Sequence, residues 1–132
     1  MFFEMTVQIR VSDFQKGLQW YKTLLKREAE LIPHDGFVEW EVISGCWLQL
    51  SVGVPAKGSG PLRLAVKDLE AERERVMKEL CVEYFEIHSR EEVGAKWATF
   101  MDPWENQIGF FEYMDKQEEK ERIQLLNKNQ SN

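Results

Sequence analysis

Cysteine is scarce in this chain: Cys46 and Cys81 are far apart and stand in no CxxC or metal-finger spacing. That excludes a zinc finger and leaves each thiol expected as a reduced, partly buried small hydrophobe. No apolar run approaches the roughly 20 residues of a membrane span. Positive charge is in the minority, 17 Lys and Arg against 23 Asp and Glu, for a net charge of −6. Nucleic acid and anionic membranes, which need a dense basic face, are therefore not expected partners. The opening Met1-Phe2-Phe3-Glu4 lacks the basic and apolar segments of a signal peptide, and a cytoplasmic location is the default expectation. No Ser-His-Asp order and no Gly-rich phosphate loop is present.

What the chain does have is an ordinary globular composition, 43% hydrophobic and 30% charged over 132 residues, enough for one domain with a real core. It also has an internal repeat. Ile9-Arg10-Val11-Ser12-Asp13-Phe14 and Leu64-Ala65-Val66-Lys67-Asp68-Leu69 share one pattern at an offset of 55: alternating apolar residues run into an Asp, and a helical period begins at once. In the first copy, Val7, Ile9 and Val11 alternate with Thr6, Gln8 and Arg10 as a half-buried strand does. Ser12 or Asp13 can cap a helix whose apolar stripe is Phe14, Leu18, Tyr21 and Leu25. Strands are predicted at about 29–33, 37–43 and 46–52, with turns at His34-Asp35-Gly36 and Ser44-Gly45. The second copy repeats the order, with a strand carrying Leu62, Leu64 and Val66, a helix from Asp68 to about Leu80, and strands near 83–88, 96–101 and 107–113. After Tyr113 a charged segment reads as a solvated helix that frays into Asn127–Asn132; its apolar spots Ile123 and Leu126 dock on the body or a partner, or the tail is loose.

Two βαβββ modules in tandem resemble the vicinal oxygen chelate superfamily, which includes glyoxalase I, bleomycin-resistance proteins, fosfomycin-resistance enzymes and extradiol dioxygenases. Three patterns carry the resemblance: Val11-Ser12-Asp13-Phe14 leading to Trp20-Tyr21-Lys22-Thr23-Leu24-Leu25, then Gly45-Cys46-Trp47-Leu48-Gln49-Leu50-Ser51, then Phe100-Met101-Asp102-Pro103-Trp104-Glu105-Asn106-Gln107-Ile108. The last resembles the family's F-x-D-P-x-G-N-x-I-E, with Glu105 where Gly is usual, so that position is expected to be strained or the turn to be of another type. The resemblance implies an α+β domain over residues 1–114 (module one 1–54, connector 55–61, module two 62–114), followed by a charged helix or tail at 115–132. It also implies mixed and antiparallel sheets curled into a cup with the helices outside, and often a homodimer that completes the cups.

Alternation then assigns the faces. Facing the cup are Thr6, Gln8 and Arg10; Phe37, Glu39 and Glu41; Trp47, Gln49 and Ser51; Arg63 and Ala65; Trp97, Thr99 and Met101; Gln107, Gly109 and Phe111. Trp40 is expected in the core, while Trp47 and Trp97 are expected to face one shared cavity. The family's metal-ligand positions fall here on Thr6, Gln49, Pro61 and Gly109, of which only Gln49 could coordinate, and weakly. The expectation is accordingly a cup without metal or other cofactor. Gln8, Arg10, Glu39, Trp47, Gln49, Arg63, Trp97, Thr99 and Phe111 are the candidate residues for a small organic molecule: Trp47, Trp97 and Phe111 for stacking, Arg10 or Arg63 for an anionic group.

Three readings stay open at this stage. The protein binds a small molecule without metal, as bleomycin-resistance proteins sequester a compound; or it is a lyase, isomerase, dioxygenase or thiol transferase whose metal is held by Gln8, Glu39, Glu41 or Gln49; or Arg10 pairs with Glu39 or Glu41, the tryptophans close the cup and the surface serves as an interaction module. His34 reads as a turn histidine, and His88 is the one placed to carry a proton near the mouth.

Overall fold

The computed structural model describes residues 1–58 and 60–130, the side chains of 128–130 excepted. Its contacts divide into two compact units, Met1–Ser59 with Pro103–Asn106, and Gly60–Asp102 with Gln107–Asn132.

In the first unit, β1 (Met5–Val11) leads into α1 (Phe14–Leu25), then β2 (Leu31–His34), β3 (Phe37–Ile43) and β4 (Cys46–Val52). The sheet order is β1-β4-β3-β2, with β1 parallel to β4 and the remaining pairs antiparallel. Asp13 is the N-cap, its carboxylate accepting from the Lys16 N–H at 3.1 Å, and Lys26 closes the helix in a left-handed conformation. The helix lies close against β1 because position 17 carries no side chain: a Cβ on Gly17 would stand 2.6 Å from Val11 Cγ2. Its buried stripe is Gly17, Trp20, Tyr21 and Leu24 rather than the expected Phe14, Leu18, Tyr21 and Leu25, since this close approach turns the 17/20/24 edge onto the sheet. Ile9, Val11, Val38, Trp40, Leu48 and Leu50 complete the core beneath it.

The second unit contains β5 (Leu62–Ala65), α2 (Leu69–Leu80), β6 (Ala95–Met101), β7 (Gln107–Tyr113) and α3 (Lys116–Gln130). Its sheet order is β5-β7-β6, again one parallel and one antiparallel pairing. Asp68 caps α2 through the Ala71 N–H at 3.0 Å. Val76, Leu69, Phe85, Ala98, Phe100, Ile108 and Phe110 form the core.

The strand expected near 83–88 is not formed. Only His88 bridges β6, exchanging 2.7 and 2.9 Å backbone bonds with Trp97. Upstream, the chain is held by side chains instead: Arg73 donates to Phe85 O and lies over the Tyr84 ring, while Phe85 packs on Phe100. Cys81 is exposed, not partly buried, because it occupies the left-handed cap that ends α2; Cys46 is half-buried as expected. The C-terminal helix runs to Gln130 rather than fraying from Asn127, and Ser131 and Asn132 lie outside the described residues, as does Ser59 of the connector.

Period-two alternation also carries a charge onto the core face of β7. Glu112 follows Ile108 and Phe110 and is 8% exposed. Its carboxylate accepts from the Leu69 N–H at 2.7 Å and from Lys116 Nζ at 2.6 Å, with Lys96 Nζ at 3.7 Å. Burial opposes the charged form, but the Leu69 N–H and the two lysines outweigh it and hold the carboxyl below its ordinary pKa. The pairing with Glu112 raises Lys116 in turn.

Candidate functional site

In each unit one sheet face lies under a helix and the other carries the polar and aromatic residues. Cross-strand register sorts the first unit's helix-free face into rows, since side chains at partnered positions share a face. The central row is Gln8, Gln49 and Glu39; beside it stand Thr6, Trp47 and Glu41 on one side and Arg10, Ser51 and Phe37 on the other. Gln49 Nε2 donates to Glu39 Oε1 at 2.7 Å, and Arg10 Nε donates to Gln8 Oε1 at 3.2 Å. The Trp47 indole N–H donates to Glu4 at 2.8 Å, and Glu41 accepts from the Gly45 N–H at 3.2 Å.

Arg10 therefore does not pair with Glu39 or Glu41, and among the described residues it makes no ion pair. An amide neighbour takes the carboxylate instead, because Gln49 is directly cross-strand to Glu39 while Arg10 lies one row away.

In the second unit the corresponding row is Arg63, Gly109 and Thr99, and the next is Ala65, Phe111 and Trp97. One guanidinium nitrogen of Arg63 donates to Thr99 Oγ1 at 3.2 Å, spanning the position where Gly109 has no side chain. A Cβ on Gly109 would stand 2.3 Å from Ala98 O and 3.1 Å from Arg63 Cγ, so a larger residue is shut out of this row. His88 extends the aromatic row beyond Trp97, with ring centroids 6.0 Å apart, and Tyr113 extends it along β7 with its ring 5.6 Å from that of Phe111. Arg122 of α3 lies over the Tyr113 ring at 4.6 Å.

All nine candidate residues thus lie on the expected faces, five in the first unit and four in the second. Glu4, Tyr113 and Arg122 were missed. Tyr113 was legible, since it continues the alternation of Gly109 and Phe111; Glu4 and Arg122 act from segments whose placement no periodicity reveals. His34 is exposed and stacks on Phe37.

The donor set does not suit the family's metal. Of its matched positions, Thr6 offers a hydroxyl, Gln49 an amide already donating to Glu39, and Pro61 and Gly109 nothing. Among the described residues no group of three or more His, Cys, Asp and Glu is placed to hold a metal ion, including the Glu39 and Glu41 pair.

These features define a tandem α+β protein whose modules each offer one sheet face of mixed polar and aromatic character, that of the second unit reached at Tyr113 by Arg122 of α3. Among solved structures, the chain is similar to a glyoxalase/bleomycin resistance protein from Catenulispora acidiphila, with 28% identity, coverage of 83% of this chain and 96% of that one, and a TM-score of 0.67. It is also similar to a glyoxalase/bleomycin resistance protein from Albidiferax ferrireducens (15% identity, 82% and 97% coverage, TM-score 0.63) and to a fosfomycin resistance protein from Listeria monocytogenes (16% identity, 86% and 93% coverage, TM-score 0.64), likenesses that bear on fold. These likenesses support the resemblance to the vicinal oxygen chelate superfamily. No protein-family model matches it, and none of the curated proteins does. Among the described residues no helix is long and apolar enough to cross a membrane.

Proposed function

We propose that the protein binds a small organic molecule on the polar and aromatic faces of its sheets without the help of a metal, a role of the kind for which resistance proteins of this fold are named. What carries this reading is the pair of arginines. Arg10 and Arg63 stand on those faces with an amide and a hydroxyl for company and no carboxylate partner among the described residues, although acids outnumber bases in the chain. A cation left without a counter-charge beside half-exposed tryptophans suits an anionic, ring-bearing ligand better than it suits packing. The filled-cup reading had Arg10 paired with Glu39 or Glu41, whereas Arg10 bonds Gln8. The metal-enzyme reading had the metal held by Gln8, Glu39, Glu41 or Gln49, of which Gln49 and Glu39 are bonded to each other.

Protein purified with neither chelator nor polyhistidine tag tests the proposal. Native mass spectrometry is expected to find an organic adduct that leaves on denaturation, and elemental analysis only substoichiometric divalent metal. About one equivalent of zinc, nickel, manganese or iron, lost on Glu39→Gln, would move the assignment to a metal enzyme. The assembly proposed is a homodimer, supported by the exposed apolar Phe2, Phe3, Met5, Ile32 and Leu125. Light scattering is expected to give about twice the 15.6 kDa chain mass, and a monomer at tens of micromolar would overturn it.

A further inference from the structure

We infer that the second unit's sheet face is the part that selects the ligand, and that it selects an aromatic acid: a flat ring bearing a carboxylate directly or one carbon away. The inference rests on the small-molecule reading above and gives it a ligand class. Two adjacent rows of the sheet divide the work. The first row, Arg63, Gly109 and Thr99, is polar, and Arg63 reaches across the side-chain-free Gly109 position to Thr99. The second row, Ala65, Phe111, Trp97 and His88, is a strip of rings with one small residue at its edge.

Successive same-face rows lie roughly 6.7 Å apart, two residues of strand rise. A ring stacked on Phe111 and Trp97 therefore places a directly attached carboxylate within a charge-assisted bond, about 2.8 Å, of the guanidinium. Arg63 uses one nitrogen on Thr99 and makes no ion pair among the described residues, so its planar fork retains donors for a bidentate carboxylate. Gly109 makes room for Arg63 to lie across the row, since the backbone of β6 and the Arg63 stem bar any larger residue there. The first unit's central row offers no such site: its middle is the Gln49–Glu39 hydrogen bond, and a carboxylate there repels an acid.

The test follows backbone amide shifts of the isotope-labelled full chain with three probes: 2-naphthoate, the neutral 2-naphthamide and the non-planar cyclohexanecarboxylate. The naphthoate is expected to saturate with a Kd of about 1 mM or tighter, moving Arg63, Trp97, Thr99 and Phe111 amides. Arg63→Gln, at an exposed position, is expected to weaken it about tenfold or more and to leave naphthamide binding unchanged. Thr99→Val, one atom for another, should give a smaller loss in the same direction. Cyclohexanecarboxylate should bind several-fold more weakly than the naphthoate. Equal binding of naphthoate and naphthamide overturns the acid assignment, and equal binding of the saturated acid overturns the ring. Shifts confined to Gln8, Glu39 and Gln49 overturn the choice of face but leave the small-molecule reading standing. If a broad fragment set moves no amide on either face, both fail.

Discussion

The two units are built to one plan and lined to different ends. Offsets of 55 on the first strand and 60 on the hairpin strands superpose their registers: Val7 pairs with Leu48 where Leu62 pairs with Ile108. At equivalent places in the central row, Gln8, Gln49 and Glu39 in the first unit become Arg63, Gly109 and Thr99 in the second. Beneath the helices the two remain alike, with Leu48, Leu50, Val38 and Trp40 answered by Ile108, Phe110, Ala98 and Phe100. The helix side of each sheet is constrained by the cost of burying anything polar, whereas the opposite side is free to differ. That is why a repeat remains recognisable in its apolar positions while its polar ones carry separate chemistry.

Substitutions can break this comparison, the largest first. Trp40, fully buried with its indole N–H donating to Arg27 O at 3.1 Å, and Phe110 occupy the shared cores. Trp40→Ala and Phe110→Ala should each lose about 3–5 kcal/mol in denaturant unfolding. Trp47→Ala and Trp97→Ala, on the differing faces, should lose clearly less. The reverse order would mean that strand register is off by one and the faces are exchanged.

A second difference lies at the end of the last strand, where half-exposed Val52 in the first unit answers to buried Glu112 in the second. Glu112→Gln should cost about 1–3 kcal/mol, because Lys96 loses its counter-charge and Lys116 keeps only Glu119. Since the Glu112 pKa is lowered on folding, its stabilisation is complete above the ordinary value of 4.5 and is lost as pH falls through the lowered one. The gap in melting temperature between wild type and Glu112→Gln should therefore narrow in acid and hold at neutral pH. A gap that widens in acid would contradict the assignment.

The smallest effect concerns the hairpin turns. Gly45 turns the first hairpin at φ 78, and Glu105 does the same for the second at φ 66. Glu105 is thus the left-handed residue of its turn, and the Asn106 side chain donates to Arg10 O at 3.0 Å. Glu105→Gly should stabilise by about 1 kcal/mol through relief of the left-handed conformation. The Lys57 ion pair it removes is exposed on both sides and contributes little. No gain in melting temperature would show that the Glu105 conformation is unstrained.

Faces, helix starts and repeat order were readable in the sequence because each follows from local geometry. A strand alternates by twos, so Trp40 and Trp47 could be assigned opposite faces without a fold, and an Asp before an apolar period caps the helix that follows. The internal repeat gave the tandem arrangement, and the family resemblance added the expected cup. Which polar groups meet was not readable. Glu39 bonds Gln49 rather than Arg10 because β3 and β4 set that register, and pairing is a property of neighbouring strands rather than of one. The missing strand near 83–88 is a decision of the same kind. Its residues alternate well enough, but Arg73 and Phe100 hold Tyr84 and Phe85 through side chains in place of a ladder. Local sterics act within a few residues of chain and can be read along it. Contacts between residues far apart in sequence depend on which surfaces folding brings together, and only the tertiary structure decides that.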